Sequence, residues 1–295
     1  MGEGAIEYEL WDVFTSRPLG GNPLAVVIDS EGFDEGTMQA LAREFNLSET
    51  AFVLPSARAD ARARYFTPAR ELPMAGHPTI GTAYALAARG RLPAAAATLE
   101  LGIGIVPLSL EREGGRLTRV WMDQGRPRRL TQVDRREEVA RALGLTSEDL
   151  EASLPLSVES AGVPYLMVPV RGLEALARVR LDLDALAPFL AAEHRAVFAF
   201  SLEAGDARTR ARMFGEAVGV VEDPATGSAH GPLGAYLVWN GILDARSGPL
   251  TFLSRQGIEM GRPSEIEVRV RLEDGGPAGE VGGSAVRVAS GRLEL

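Results

Sequence analysis

Two stretches of this chain carry residues that can hold an anion without a metal or a lysine. One runs Met74-Ala75-Gly76-His77-Pro78-Thr79 into an Ala-rich helical segment. The other runs Glu222-Asp223-Pro224-Ala225-Thr226-Gly227-Ser228-Ala229-His230. Each passes from a strand through a broken loop to a helix start. A helix N-terminus offers free N–H donors and a positive dipole end, and glycine lets a ligand approach the backbone. Two such ends facing each other would hold a carboxylate or stabilise an enolate-like oxyanion. The alternative is that Gly, Ser and Thr only cap helices here.

Acid–base candidates lie close to both stretches. Glu49 stands in Leu47-Ser48-Glu49-Thr50-Ala51-Phe52, at the mouth of a strand. A carboxylate beside buried apolar residues has its pKa raised and can shuttle protons; the alternative is an ordinary surface acid at a strand end. Glu222-Asp223 is an acidic pair before Pro224 that could carry a second proton or orient a substrate, or simply form an Asx turn. The chain has three histidines. His77 lies at a helix start, where a neutral imidazole can donate a hydrogen bond. His230 sits one turn into the second helix, and His194 reads as a surface residue. Their spacing is not that of metal ligands and there is no HExxH, so no metal site is expected. Gly102-Ile103-Gly104 lacks the third glycine of a dinucleotide fingerprint, and no Gly-x-Ser-x-Gly elbow occurs.

Composition narrows the chemistry further. The chain has 295 residues, a net charge of −9 and a pI of 5.1. Nucleic-acid binding needs a basic face, so that charge disfavours it. There is no Cys, which removes disulfides, thiolate ligands and thiol nucleophiles. There is also no Lys, so Schiff-base chemistry and a P-loop are disfavoured. No apolar run approaches the roughly 18 residues that cross a membrane. The opening stretch Met1 to Val13 does not have the pattern of a leader, and a cytoplasmic location is the expectation.

The elements that must position these residues recur. Ile6 to Phe14 and Leu24 to Ile28 read as strands around a Gly20-Gly21-Asn22-Pro23 loop. Asp34 to Phe45 has helical spacing with Asp34 as N-cap. Thr50 to Leu54 and Arg62 to Phe66 are strands, Pro78 to Arg89 is a helix, and Leu99 to Ile105, Val106 to Glu111 and Leu117 to Met122 are strands. Gly162-Val163-Pro164-Tyr165 then echoes Gly21-Asn22-Pro23-Leu24, and Leu183 to Ala192 answers Asp34 to Phe45. Ala196 to Leu202 answers Thr50 to Leu54, Arg212-Met213-Phe214 answers Arg64-Tyr65-Phe66, and Gly234-Ala235-Tyr236 answers Thr82-Ala83-Tyr84. The spacing between partners drifts smoothly around half the chain length. This pattern predicts an internal duplication rather than two unrelated α+β halves. The boundary falls near Gln124 to Asp134, giving halves 1–127 and 128–295, with the chain end free to cross back. A small-molecule site is expected in the cleft between them.

Together these stretches resemble the phenazine-biosynthesis isomerase family, PhzF-like proteins that share their fold with diaminopimelate epimerase. The resemblance rests on five segments. They are Phe14…Gly20-Gly21-Asn22-Pro23-Leu24-Ala25-Val26-Val27, Ser48-Glu49-Thr50-Ala51-Phe52, Phe66-Thr67-Pro68…Gly76-His77-Pro78-Thr79, Glu222-Asp223-Pro224-Ala225-Thr226-Gly227-Ser228-Ala229, and Gln256-Gly257…Met260-Gly261-Arg262-Pro263-Ser264. It implies an α+β fold of two pseudo-symmetric domains, each a β-barrel-like sheet around a central helix. It also implies cofactor-free proton transfer on a small cyclic amino or hydroxy acid. The family's general acid/base maps to Glu49, with His77 and Asp223 in the same site and Asn22, Gly76, Thr226, Gly227 and Ser228 as substrate-binding residues. Family members are often dimeric. The type enzyme isomerises trans-2,3-dihydro-3-hydroxyanthranilate. Two-thiol epimerisation is excluded, because Ala75 precedes Gly76-His77 and no Cys exists. A non-catalytic acid-binding protein and a Cys-independent epimerase are the rival readings on this scaffold.

Overall fold

The computed structural model describes residues 6–194, 196–215 and 220–295. Residues 1–5, which open the stretch searched for a leader, lie outside the described residues. The chain forms two compact units, Met1–Asp123 with Gly282–Leu295, and Gln124–Val281.

The first unit opens with strands β1 (Ile6–Val13) and β2 (Asn22–Val27), helix α1 (Glu35–Phe45) and strands β3 (Glu49–Leu54), β4 (Ala61–Phe66) and the short β5 (Glu71–Leu72). Helix α2 (Gly76–Ala88) follows, then β6 (Ala96–Leu101), β7 (Gly104–Glu113) and β8 (Arg116–Asp123). Asp34 caps α1 by accepting the Thr37 N–H at 2.8 Å. α2 is apolar on every face, and each residue from Gly76 to Leu86 is buried. Such a helix is stable only when surrounded; β1, β2, β3, β4 and β8 all pack on it.

The second unit contains β9 (Arg128–Gln132), α3 (Arg136–Ala142), β10 (Ser157–Ser160), β11 (Pro164–Pro169), α4 (Gly172–Arg178), α5 (Leu183–Leu186), β12 (Val197–Ser201), β13 (Thr209–Gly215) and β14 (Val220–Asp223). It continues through α6 (Gly227–Trp239), β15 (Leu250–Gln256), β16 (Ser264–Glu273) and β17 (Gly276–Gly283), whose last two residues belong to the first unit. The final strand, β18 (Ala285–Leu293), pairs with β1.

The strand pairings of the two units repeat. In the first, β18–β1 and β1–β2 are antiparallel, β2–β3 parallel, β3–β4 antiparallel, β4–β6 parallel and β6–β7 antiparallel. In the second, β9–β10 and β10–β11 are antiparallel, β11–β12 parallel, β12–β13 antiparallel, β13–β15 parallel and β15–β16 antiparallel. Each carries one short extra strand, β5 on β4 and β14 on β13. α6 plays the part of α2, with Gly227 and Ala229 to Leu237 buried and β10 and β16 against it. The fold is α+β, as the sequence and its resemblance indicate.

Two elements differ from their sequence reading. The strand expected over Leu99 to Ile105 ends at Leu101, because Gly102-Ile103 turns into β7. Gly102 is needed there, since a Cβ would lie 2.8 Å from Pro73 Cα. The helix expected over Leu183 to Ala192 stops at Leu186, where Pro188 withholds an N–H and blocks the next turn. The counterpart of α1 in the second unit is instead α4. α4 contacts β12 and β13 as α1 contacts β3 and β4.

Candidate active site

Glu49 opens β3. The parallel register Leu24↔Glu49 sets it beside β2, whose first residue is Asn22. His77 is the second residue of α2, and its Nε2 lies 3.5 Å from Glu49 Oε2. On the far side of the ring, His77 Nδ1 faces Asn22 Nδ2 at 3.1 Å. The Ser48 hydroxyl donates to Asn22 Oδ1 at 3.4 Å. The His77 side chain is 5% exposed and that of Glu49 is 14% exposed, and Glu49 Oε2, the oxygen facing the ring, is buried. Burial pushes His77 down to about 3. It is therefore neutral at physiological pH, and its 3.5 Å approach to Glu49 sets a neutral imidazole beside a carboxylate rather than making an ion pair.

Backbone chemistry adds to this group. The N-cap of α2 is Ala75, which makes no side-chain cap. The amides of Gly76 and His77 are thus left to the backbone and to a ligand, at the positive end of a 13-residue helix. Thr79 Oγ1 donates to the Ala75 carbonyl at 2.7 Å and ties the first turn down. Gly21, with φ +62°, cannot bear a side chain, because a Cβ there would collide with the Val13 carbonyl. That turn delivers Asn22 to the start of β2.

In the second unit the acidic pair divides its work. Glu222 takes both nitrogens of Arg212, Nε at 2.8 Å and Nη2 at 2.9 Å. Arg212 Nη1 also donates to the carbonyls of Leu176, Ala177 and Val179 at the end of α4. Glu222 is therefore part of the scaffold. Asp223 points the other way, is buried, and accepts from Thr226 Oγ1 at 2.6 Å. Gln256 spans this turn: its Oε1 accepts the Thr226 N–H at 3.1 Å, and its Nε2 donates to the Asp223 carbonyl at 2.6 Å and to Thr226 Oγ1 at 2.9 Å. Ser228 Oγ meets the Tyr165 hydroxyl at 2.7 Å.

The structure thus gathers Asn22, Glu49, Gly76 and His77 in one group, and Asp223, Thr226, Gly227 and Ser228 in another. His230 belongs to neither chemistry. Its Nδ1 reaches the Thr226 carbonyl at 2.8 Å and its Nε2 reaches Ser254 Oγ at 2.9 Å, which anchors α6 to β15. His194 ends a short 3₁₀ turn and is half-buried. Sequence reading missed Gln256 and Tyr165 as members of the second group. Gln256 stood in a matching segment without a role, and Tyr165 looked like one residue of an apolar strand.

A family model described as phenazine biosynthesis-like protein matches residues 11–291. The chain belongs to this family. Trans-2,3-dihydro-3-hydroxyanthranilate isomerase of Pseudomonas aeruginosa is 40% identical, covering 98% of this chain and 99% of that one. An uncharacterized isomerase of Mesorhizobium japonicum is 39% identical over 97% of this chain and 98% of its own. Among solved structures, a PhzF-family phenazine biosynthesis protein of Bacillus anthracis superposes with a TM-score of 0.88 at 31% identity, covering 99% of this chain and all of that one. The chain is an isomerase of this PhzF-like family. Among its described residues no helix is long and apolar enough to cross a membrane.

Proposed function

We propose that this isomerase moves a proton between carbons of a small cyclic amino or hydroxy acid, with Glu49 as the single acid–base group and without a cofactor. The observation that carries the reading is the Glu49–His77 contact at 3.5 Å, made at an uncapped helix start by a nearly buried carboxylate and a neutral imidazole. Glu49 removes an acidic C–H proton, and the electron pair delocalises through the conjugated ring system. Glu49 then protonates a second carbon and is restored. His77 donates to the carboxylate and holds it in place. The Gly76 and His77 amides meet the developing negative charge. Gly76 binds the substrate beside Glu49.

Trans-2,3-dihydro-3-hydroxyanthranilate is the substrate to try first, because the 40%-identical relative carries that name. A shift along one face of a ring needs one proton carrier, which Glu49 supplies. In deuterated water the wild type is expected to convert this compound with partial deuterium, less than one, at the new C–H. Glu49→Gln keeps the shape and loses the base, and is expected to cost at least about 10²-fold in kcat. A stereoinverted product instead of a shifted double bond would favour an epimerase. Ligand affinity without any exchange would favour a binding protein.

A further inference from the structure

Asn22 presents its carboxamide to the face of His77 turned away from Glu49. The side chain is fully buried and the contact to His77 Nδ1 is 3.1 Å. Its position is closely fixed. Asn22 pairs with Val13 across the β1–β2 ladder, follows the Gly21 turn that admits no Cβ, and precedes Pro23, whose φ is locked. In the observed orientation Ser48 Oγ donates to Oδ1 at 3.4 Å and Nδ2 faces the ring.

A neutral imidazole has one N–H and one lone pair. His77 is held neutral by burial. An amide N–H aimed at Nδ1 requires the lone pair on Nδ1, and so places the proton on Nε2, the atom that faces Glu49. We infer that Asn22 is a positioning residue that sets the His77 tautomer, so that the imidazole offers Glu49 a donor and never a proton acceptor. This rests on the proposed role of Glu49 and extends it. A proton taken from the substrate onto Glu49 then has no lone pair beside it to leak to. It stays on the carboxyl until it is delivered to the second carbon. The opposite tautomer would place a basic nitrogen 3.5 Å from that carboxyl and open a path for exchange.

The test is read on the resting protein and during turnover. Nitrogen-15 spectra of the imidazoles, with His77 assigned through His77→Gln, are expected to show Nε2 protonated and Nδ1 bare. Asn22→Asp is nearly isosteric but turns the donor into an acceptor. It is expected to move the His77 proton to Nδ1 or to charge the ring. With dihydrohydroxyanthranilate in deuterated water, the wild-type product should hold less than one deuterium at the new C–H. The Asn22→Asp product should approach one, with kcat lower by about 10-fold and KM within about 2-fold. A wild-type spectrum with the proton on Nδ1 overturns the inference even if the variant does not fold. Equal deuterium content in the two products overturns it as well. A wild type that shows the Nε2 proton but turns nothing over supports the tautomer assignment and counts against the isomerase reading alone.

Discussion

A carboxylate that must both take and return a proton needs a neighbour that holds it without competing for the proton. In the proposed mechanism neutral His77 meets that need for Glu49, and the cost is acid sensitivity. Burial pushes His77 from 6.5 to about 3 and His230 from 6.5 to about 4. Both folded values lie below the unfolded one, so below pH 6.5 the unfolded chain binds more protons than the folded chain. Stability is fully present above pH 6.5 and falls as pH drops toward 4, by about 1.4 kcal/mol per pH unit for each histidine. Urea midpoints measured from pH 7.5 to 4.5 should show this fall, and His230→Asn should be less stable at pH 7.5 but have a shallower slope. A slope unchanged in that variant would remove His230 from the explanation. Gln256 gives a second residue-scale expectation. Gln256→Ala strips partners from the Thr226 amide and the Asp223 carbonyl and should cost about 1–3 kcal/mol, read as a lower urea midpoint, with a rise in KM if Asp223 loses its aim. An unchanged midpoint would mean that other groups take over those bonds. The motifs around Glu49, His77 and Asp223 are short and contiguous and could be picked out directly, and the structure sets Glu49 beside His77. The roles of Gln256 and Tyr165 could not be read, because both reach the Asp223–Ser228 turn only through folding: Gln256 stood in a matching segment without a role and Tyr165 in an apolar strand.

At the scale of elements, two buried helices carry both groups, and their packing depends on absent side chains. A Cβ on Gly81 would lie 2.5 Å from Leu24 Cδ2 and 2.8 Å from Val13 Cγ2. On Gly234 of α6 it would lie 2.5 Å from Val270 Cγ2. Gly81→Ala and Gly234→Ala should each cost about 1–3 kcal/mol through overpacking, despite the better helix propensity of alanine; thermal melts that rise instead would show that the strands yield. The duplication was readable because Tyr84 and Tyr236, or Asn22-Pro23 and Val163-Pro164, recur in order. Periodicity misjudged what lies between them. α4 is only seven residues long and opens on Gly172 at φ +76°, so it gave too short a pattern to read, and the Asp-Leu-Asp-Ala-Leu run of α5 took its place. Propensity could not foresee the turn at Gly102, which depends on the approach of Pro73 from elsewhere in the chain.

For the molecule as a whole, the chain end is part of the first unit. β18 pairs with β1 along its length, and the Phe14 amide donates to the Ser284 carbonyl at 2.8 Å. Buried Glu9 adds a polar tie: its Oε1 takes Arg89 at 3.1 Å and Arg287 at 3.0 Å, and its Oε2 takes Trp11 Nε1 at 2.8 Å. Removing residues 285–295 strips β1 of one partner, exposes an edge and should lower the melting temperature sharply; an unchanged melt would show that the strand is dispensable. The sequence left the chain end open, because long-range pairing of first and last strands has no local signal. Composition was more telling in what it excluded, since a chain without Cys or Lys has to do its proton chemistry with carboxylates, imidazoles and backbone amides.

The central claim is that Glu49 carries the transferred proton. Dihydrohydroxyanthranilate, incubated in deuterated water with wild type and with Glu49→Gln and followed by mass spectrometry, tests it directly. The account predicts isomerisation by the wild type, with partial deuterium uptake of less than one at the new C–H, and neither isomerisation nor uptake by the variant. Equal turnover and uptake by the two proteins would contradict it.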